Sequence, residues 1–186
     1  MGAIITTVVS AVRSRKQPIG YRTEVVPVFK GRMFPSSVVG SLSLQSSTGG
    51  YAEQVPNLFI AKIEVVNRGN KDYASFRLGF TLFTGDAALI SAASSADRHH
   101  QAEVLTTLGP AAPVGELDYV LRPFNRKDLY AFTLYVVAQQ GQEQVGEIRL
   151  SSPEPVIFTK APTVAEIAAE AAKGMIGIGP LRIGFR

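Results

Sequence analysis

The chain has 186 residues, 46% of them hydrophobic and only 18% charged, with no cysteine and a formal net charge of +4. That length suits one domain with appendages and a sizeable core. The lack of cysteine excludes disulfides, thiolate metal sites and cysteine nucleophiles, and leaves the compartment open.

The charge is uneven along the chain. Arg13, Arg15, Lys16, Arg22, Lys30 and Arg32 stand against Glu24 alone in residues 1–32, a net of +5. Lys173, Arg182 and Arg186 add +3 at the other end, while residues 33–172 carry −4. The pI near 9.5 therefore belongs to the two ends. A nucleic-acid reader more often carries its positive charge on the folded face. Basic ends suit an anionic membrane surface, an acidic neighbouring subunit, or solubility.

Residues 1–18 read as an apolar, basic arm. The run "MGAIITTVVSAV" has no charge and is followed by Arg13, Arg15 and Lys16. It is too short to cross a bilayer, which takes about 20 apolar residues. A secretory signal would place its positive charge before the apolar run, so none is expected here. The opening letters also fit the loose myristoylation pattern, with Gly2 as acceptor and Thr6 in the hydroxyl position. A short amphipathic helix or a frayed arm is the plainer reading. The localisation this implies is cytoplasmic or peripheral membrane, with no full-length transmembrane helix.

Residues 19–160 read as β throughout. "YRTEVVPVF" is rich in β-branched and aromatic residues, and Pro27 restricts it to an edge or a bend. "VVGSLSL" (38–44) is a short strand before the Ser/Gly loop "QSSTGG". "NLFIAKIEVVN" sets Phe59, Ala61, Ile63 and Val65 on one face with Lys62 and Glu64 opposite, a strand with one wet side. Phe76, Leu78, Phe80 and Leu82 repeat that alternation. After the Gly85-Asp86 turn come "ALISAAS", "LDYVLR", "LYAFTLYVVA" with Tyr130, Phe132, Leu134 and Val136 aligned, "VGEIRL" and "PVIFTK". The stretch from Ala96 to Pro113 reads as a cross-over loop with one strand near 102–106. Nine or ten short strands punctuated by turns predict a sandwich or barrel.

Residues 161–186 depart from this. Thr163 and Glu166 form a capping box, "VAEIAAEAAK" is a strong helix former, and Gly174 stops it. The tail "GMIGIGPLRIGFR" is too apolar for a solvated segment. It is expected to dock on its own domain, on another copy, or on lipid.

Catalytic chemistry finds little support. His99 and His100 are the only histidines, and adjacent residues on a strand face opposite ways, so a metal site with Asp97 would need special loop geometry. No G-x-S-x-G elbow offers a serine nucleophile. Glu103, Glu116, Asp118 and Asp128 could pair as carboxylates, yet each reads as a residue beside a strand end. "GMIGIG" lacks the Lys-Ser/Thr of a phosphate loop. In "RPFNRKDLYAF", Arg122, Phe124, Arg126, Lys127 and Tyr130 interleave basic and aromatic residues, as single-strand binders do. A turn built on Asn125 and Asp128 before a core strand is the simpler account.

Four segments occur in a familiar order over residues 19–150: "GYRTEVVPVF", "LFIAKIEVVNRGNKDY", "ALISA" and "VLRPFNRKDLYAFTLYVVA". They resemble an immunoglobulin-like β-sandwich of poorly characterised bacterial proteins, often found next to a membrane segment. Asn67-Arg68-Gly69-Asn70 matches its Asn-x-Gly-Asn strand ending, and Phe124-Asn125-Arg126-Lys127-Asp128 matches its pre-strand motif with Phe124 in place of leucine. The resemblance implies a non-enzymatic recognition module. The chain departs from the family in having only residues 2–12 where a long membrane segment is usual.

The expected fold is thus all-β: an Ig-like or jelly-roll-like antiparallel sandwich, with a short N-terminal helix or arm and a C-terminal helix plus apolar tail. The expected role is non-catalytic binding or assembly, without a cofactor or metal. Arg13, Arg15, Lys16, Met175, Ile176, Ile178, Leu181, Arg182, Ile183, Phe185 and Arg186 would engage a membrane surface, other copies of the chain or a partner subunit. The alternative is a self-assembling coat-like subunit whose basic arm contacts nucleic acid.

Overall fold

The computed structural model describes residues 16–28, 42–45, 52–55, 57–139, 142 and 144–162. Among them there is no helix. The predicted N-terminal arm up to Arg15 and the predicted helix and tail from Thr163 onward lie outside the described residues.

Among the described residues eleven strands run in chain order: β1 (Gln17–Pro27), β2 (Leu42–Gln45), β3 (Ala52–Val55), β4 (Leu58–Asn67), β5 (Phe76–Thr81), β6 (Ala87–Ser95), β7 (Gln101–Val104), β8 (Glu116–Arg122), β9 (Leu129–Val137), β10 (Arg149–Ser151) and β11 (Val156–Lys160). One sheet has the order β11-β1-β4-β9-β6 and a second has β10-β5-β8-β7; β2 and β3 form a separate hairpin. All pairings are antiparallel except β1 with β11.

The period-2 pattern decides which way each strand faces. Ala61, Ile63 and Val65 of β4 and Tyr130, Phe132, Leu134 and Val136 of β9 are all buried, as the alternation requires. From the second sheet, Phe76, Leu78 and Phe80 meet Leu117, Tyr119 and Leu121 in the same cluster. Aromatic rings stitch the two layers together. Phe132 of the first sheet lies 5.0 Å from both Phe80 and Tyr119 of the second, edge to face in each case. Such pairs add about 0.5–1.5 kcal/mol beyond the area they bury.

The buried carboxylate of Asp86 shapes one end of the layers. Gly85 takes a positive φ of 92°, which glycine permits, and turns the chain so that Asp86 points inward. Asp86 is 4% exposed, and its carboxylate accepts from Gln139 N at 2.9 Å and Gly146 N at 2.8 Å. It therefore pins the 145–148 segment, the approach to β10, against the 83–86 turn.

Candidate functional site

Three features of the described residues bear on function: the junction of the two sequence motifs, a polar cluster around His100, and the edge formed by β1 and β11.

The two motifs meet in space. Asn67 closes β4 and is 1% exposed. Its Nδ2 donates to Lys71 O (2.9 Å) and Phe124 O (3.1 Å), and its Oδ1 accepts from Gly69 N (3.0 Å). Its main chain completes the junction, because Asn67 N donates to Asp128 O and Lys127 N donates to Asn67 O. Arg126 adds an ion pair to Asp72 at 3.2 Å. Phe124 and Tyr130 are fully buried, so they offer no face on which a base could stack. The interleaved segment is a turn ahead of a core strand.

The two adjacent histidines differ in setting. His99 is exposed, but the His100 side chain is 9% exposed and stacks on Tyr130, with ring centroids 5.6 Å apart. Ser95 Oγ lies 3.0 Å from His100 Nδ1, and Asp128 Oδ2 lies 3.4 Å from His100 Nε2. Serine, histidine and carboxylate are thus in line, an arrangement that no spacing in the sequence announces. Ser95 Oγ also lies 3.2 Å from Leu129 O, so its one hydroxyl proton goes to that carbonyl or to His100 Nδ1 according to the imidazole tautomer. Asp128 Oδ2 is also held by Asn125 N at 2.6 Å. The cluster ties the end of β6 to the 125–128 turn. Burial, and next the charge of Asp128, push the Tyr130 phenol up to about 12.

Of the other carboxylates, Glu103 adjoins the last residue of β7 and Asp118 is the third residue of β8. Glu103 pairs with Arg122, and Glu116 opens β8. No group of three or more metal-binding side chains occurs among the described residues.

The β1/β11 edge is where both arms leave the fold. Lys16 is exposed and directly precedes β1. The parallel ladder runs from Gln17 beside Val156 to Tyr21 beside Lys160. The N-terminal arm therefore departs from one end of this ladder and the C-terminal segment from the other, on the order of 13 Å apart along one edge. Ala161 N donates to Tyr21 O and Arg22 Nε to Pro162 O, which fix the exit. Between this edge and the 145–148 segment lies a cleft of about 300 Å³, walled by Tyr21, Thr23, Val25, Val145, Ile148 and Lys160.

Of the residues expected from the sequence to engage a partner or membrane, only Lys16 is among those described. Arg13, Arg15, Met175, Ile176, Ile178, Leu181, Arg182, Ile183, Phe185 and Arg186 lie outside them. Ser95 and Asp86 were missed, because a lone serine or aspartate at a strand end carries no periodic signal. Among the described residues no helix is long and apolar enough to cross a membrane. The chain matches no protein-family model and no curated protein.

Proposed function

We propose that this chain is a non-catalytic binding and assembly module, an Ig-like sandwich that holds two basic, apolar arms against a membrane surface or a neighbouring subunit. The observation that carries this reading is the β1/β11 pair. A parallel ladder puts both exits from the described fold on one edge, so the segments that carry Arg13, Arg15 and Lys16 and Arg182 and Arg186 both start from that edge. Positive charge gathered in this way attracts an anionic surface, and apolar side chains then add burial at about 25 cal/mol per Å².

The strand order supports the Ig-like assignment. β1-β4-β9-β6 follows the A-B-E-D order of an immunoglobulin sheet, with β5 and β10 facing it in the places of C and F. The β7–β8 pair extends the second sheet on the far side of β5. One observation favours the coat-like alternative: β4, β5, β6 and β7 alternate between the two layers, as jelly-roll strands do.

The test uses the full chain and two charge-reversed forms, Arg13→Glu/Arg15→Glu and Arg182→Glu/Arg186→Glu. Light scattering after size exclusion reads association, and flotation with phosphatidylserine vesicles reads membrane docking. The wild type should associate or float, and each reversal should weaken it by at least tenfold. A wild-type monomer that ignores the vesicles would sink the reading. Large particles carrying nucleic acid would favour the coat-like alternative.

A further inference from the structure

We infer that residues 181–186 of this same chain complete the free edge of β1, adding as a strand beside Thr23–Pro27 with Leu181, Ile183 and Phe185 turned into the cleft.

The receiving edge is defined by hydrogen bonding. β11 covers β1 only from Gln17 to Tyr21, whereas β4 pairs with it as far as Pro27. Main-chain direction alternates along β1. Gln17 and Tyr21 bond toward the β11 side, while Pro18 and Val28 bond toward β4. By that alternation the N–H and C=O of Thr23 and Val25 point away from β4, where no described strand meets them. Thr23 Oγ1 is buried and has no hydrogen-bond partner among the described residues. Val25 is 36% exposed for want of a neighbour on the same side.

The cleft continues the row in which β11 places Phe158 and Lys160 opposite Ile19 and Tyr21. A strand set after β11 in that row would drop alternate side chains between Thr23, Val25 and Ile148. The sequence Leu181-Arg182-Ile183-Gly184-Phe185-Arg186 has the required period, three large apolar residues on one face and two arginines on the other. The outward arginines would stand over the face that carries Glu24 and Glu64. The described chain reaches Pro162 at the mouth of this cleft, and residues 163–180 are ample to return along it. So short a tether gives the segment a local concentration that a second copy in dilute solution cannot match.

This deepens the reading above, since it would fix Arg182 and Arg186 on the β1 edge, toward the end opposite the one where the N-terminal arm departs. Its test needs no partner. Amide exchange on the full chain should show Thr23 and Val25 protected by about 100-fold or more over open-chain rates. Ile183→Asp with Phe185→Asp should remove at least tenfold of that protection and leave Ile63 unchanged. Unprotected Thr23 and Val25 in the wild type, or protection indifferent to the substitutions, would overturn the inference. A second variant removes any ambiguity from misfolding. In this cysteine-free chain, Val25→Cys with Ile183→Cys should oxidise to a monomer cross-linked within itself. A cross-linked dimer, or protection lost on dilution, would assign the strand to a second copy and refute the same-chain pairing. Vesicle binding lost while protection persists would refute the functional reading alone.

Discussion

The Asn67 amide donates to the Phe124 carbonyl at 3.1 Å across 57 positions of sequence, and so locks the turn after β4 to the turn before β9. The same side chain satisfies Lys71 O and Gly69 N, which leaves none of its buried polar atoms idle. Replacing Asn67 with alanine leaves the buried Gly69 N without its acceptor and takes one donor each from Lys71 O and Phe124 O, the latter keeping Tyr73 N. The expected loss is about 3 kcal/mol, given 1–3 kcal/mol for each unsatisfied buried group and some relaxation. Asn67→Asp should cost nearly as much, because a carboxylate cannot donate to two carbonyls. Urea unfolding of the two variants checks both figures, and a loss below about 1 kcal/mol would show that the junction is not structural.

Asp86 performs a comparable task at the other end of the layers. Asp86→Ala removes the acceptor for Gln139 N and Gly146 N together. A cost of about 2–3 kcal/mol is expected. Faster amide exchange at Gly146 than at Phe80 would place the damage in the 145–148 segment rather than in the core.

Tyr130 makes the fold sensitive to alkali. Its phenol is raised to about 12, above the ordinary value near 10. The unfolded chain thus releases this proton before the folded one does. The stability involved is fully present below about pH 10 and is lost as pH rises from there through about 12. Tyr130→Phe should flatten that window in a series of unfolding curves. A phenolate band attributable to Tyr130 by pH 10.5 would contradict the assignment.

Ser95, His100 and Asp128 are expected to clamp rather than catalyse. Ser95→Ala should cost about 1 kcal/mol, the usual worth of one hydrogen bond, and leave arm-dependent association unchanged. Wild type and Ser95→Ala should hydrolyse p-nitrophenyl acetate at the same background rate. A wild-type rate that falls to background in the variant would make Ser95 a nucleophile and overturn this expectation.

Legibility in the sequence followed the reach of each signal. The strands with one wet side, β4, β5 and β9, were plain from alternation, since a one-residue slip would expose Ile63 or Phe132. The turns at Asn67 and Asp128 were equally plain from their residue types. That the two turns touch was not, because pairing across 57 residues leaves no local mark. His100 illustrates the same limit. Its value comes from Tyr130 beneath it and Asp128 beside it, both some thirty positions away, so adjacency to His99 was the wrong cue. The edge at β1 was hinted at by Pro27, but the parallel partner β11 could be found only once the chain had folded.

That parallel pairing gives the domain a mechanical character. Tension applied through the two arms would pull β1 from its Gln17 end and β11 from its Lys160 end, in opposite directions along the ladder. All five registered pairs are then loaded at once in shear, whereas an antiparallel hairpin at the same place would open one bond at a time. Whatever the arms hold, the strands that carry them are joined in the geometry that resists being drawn apart.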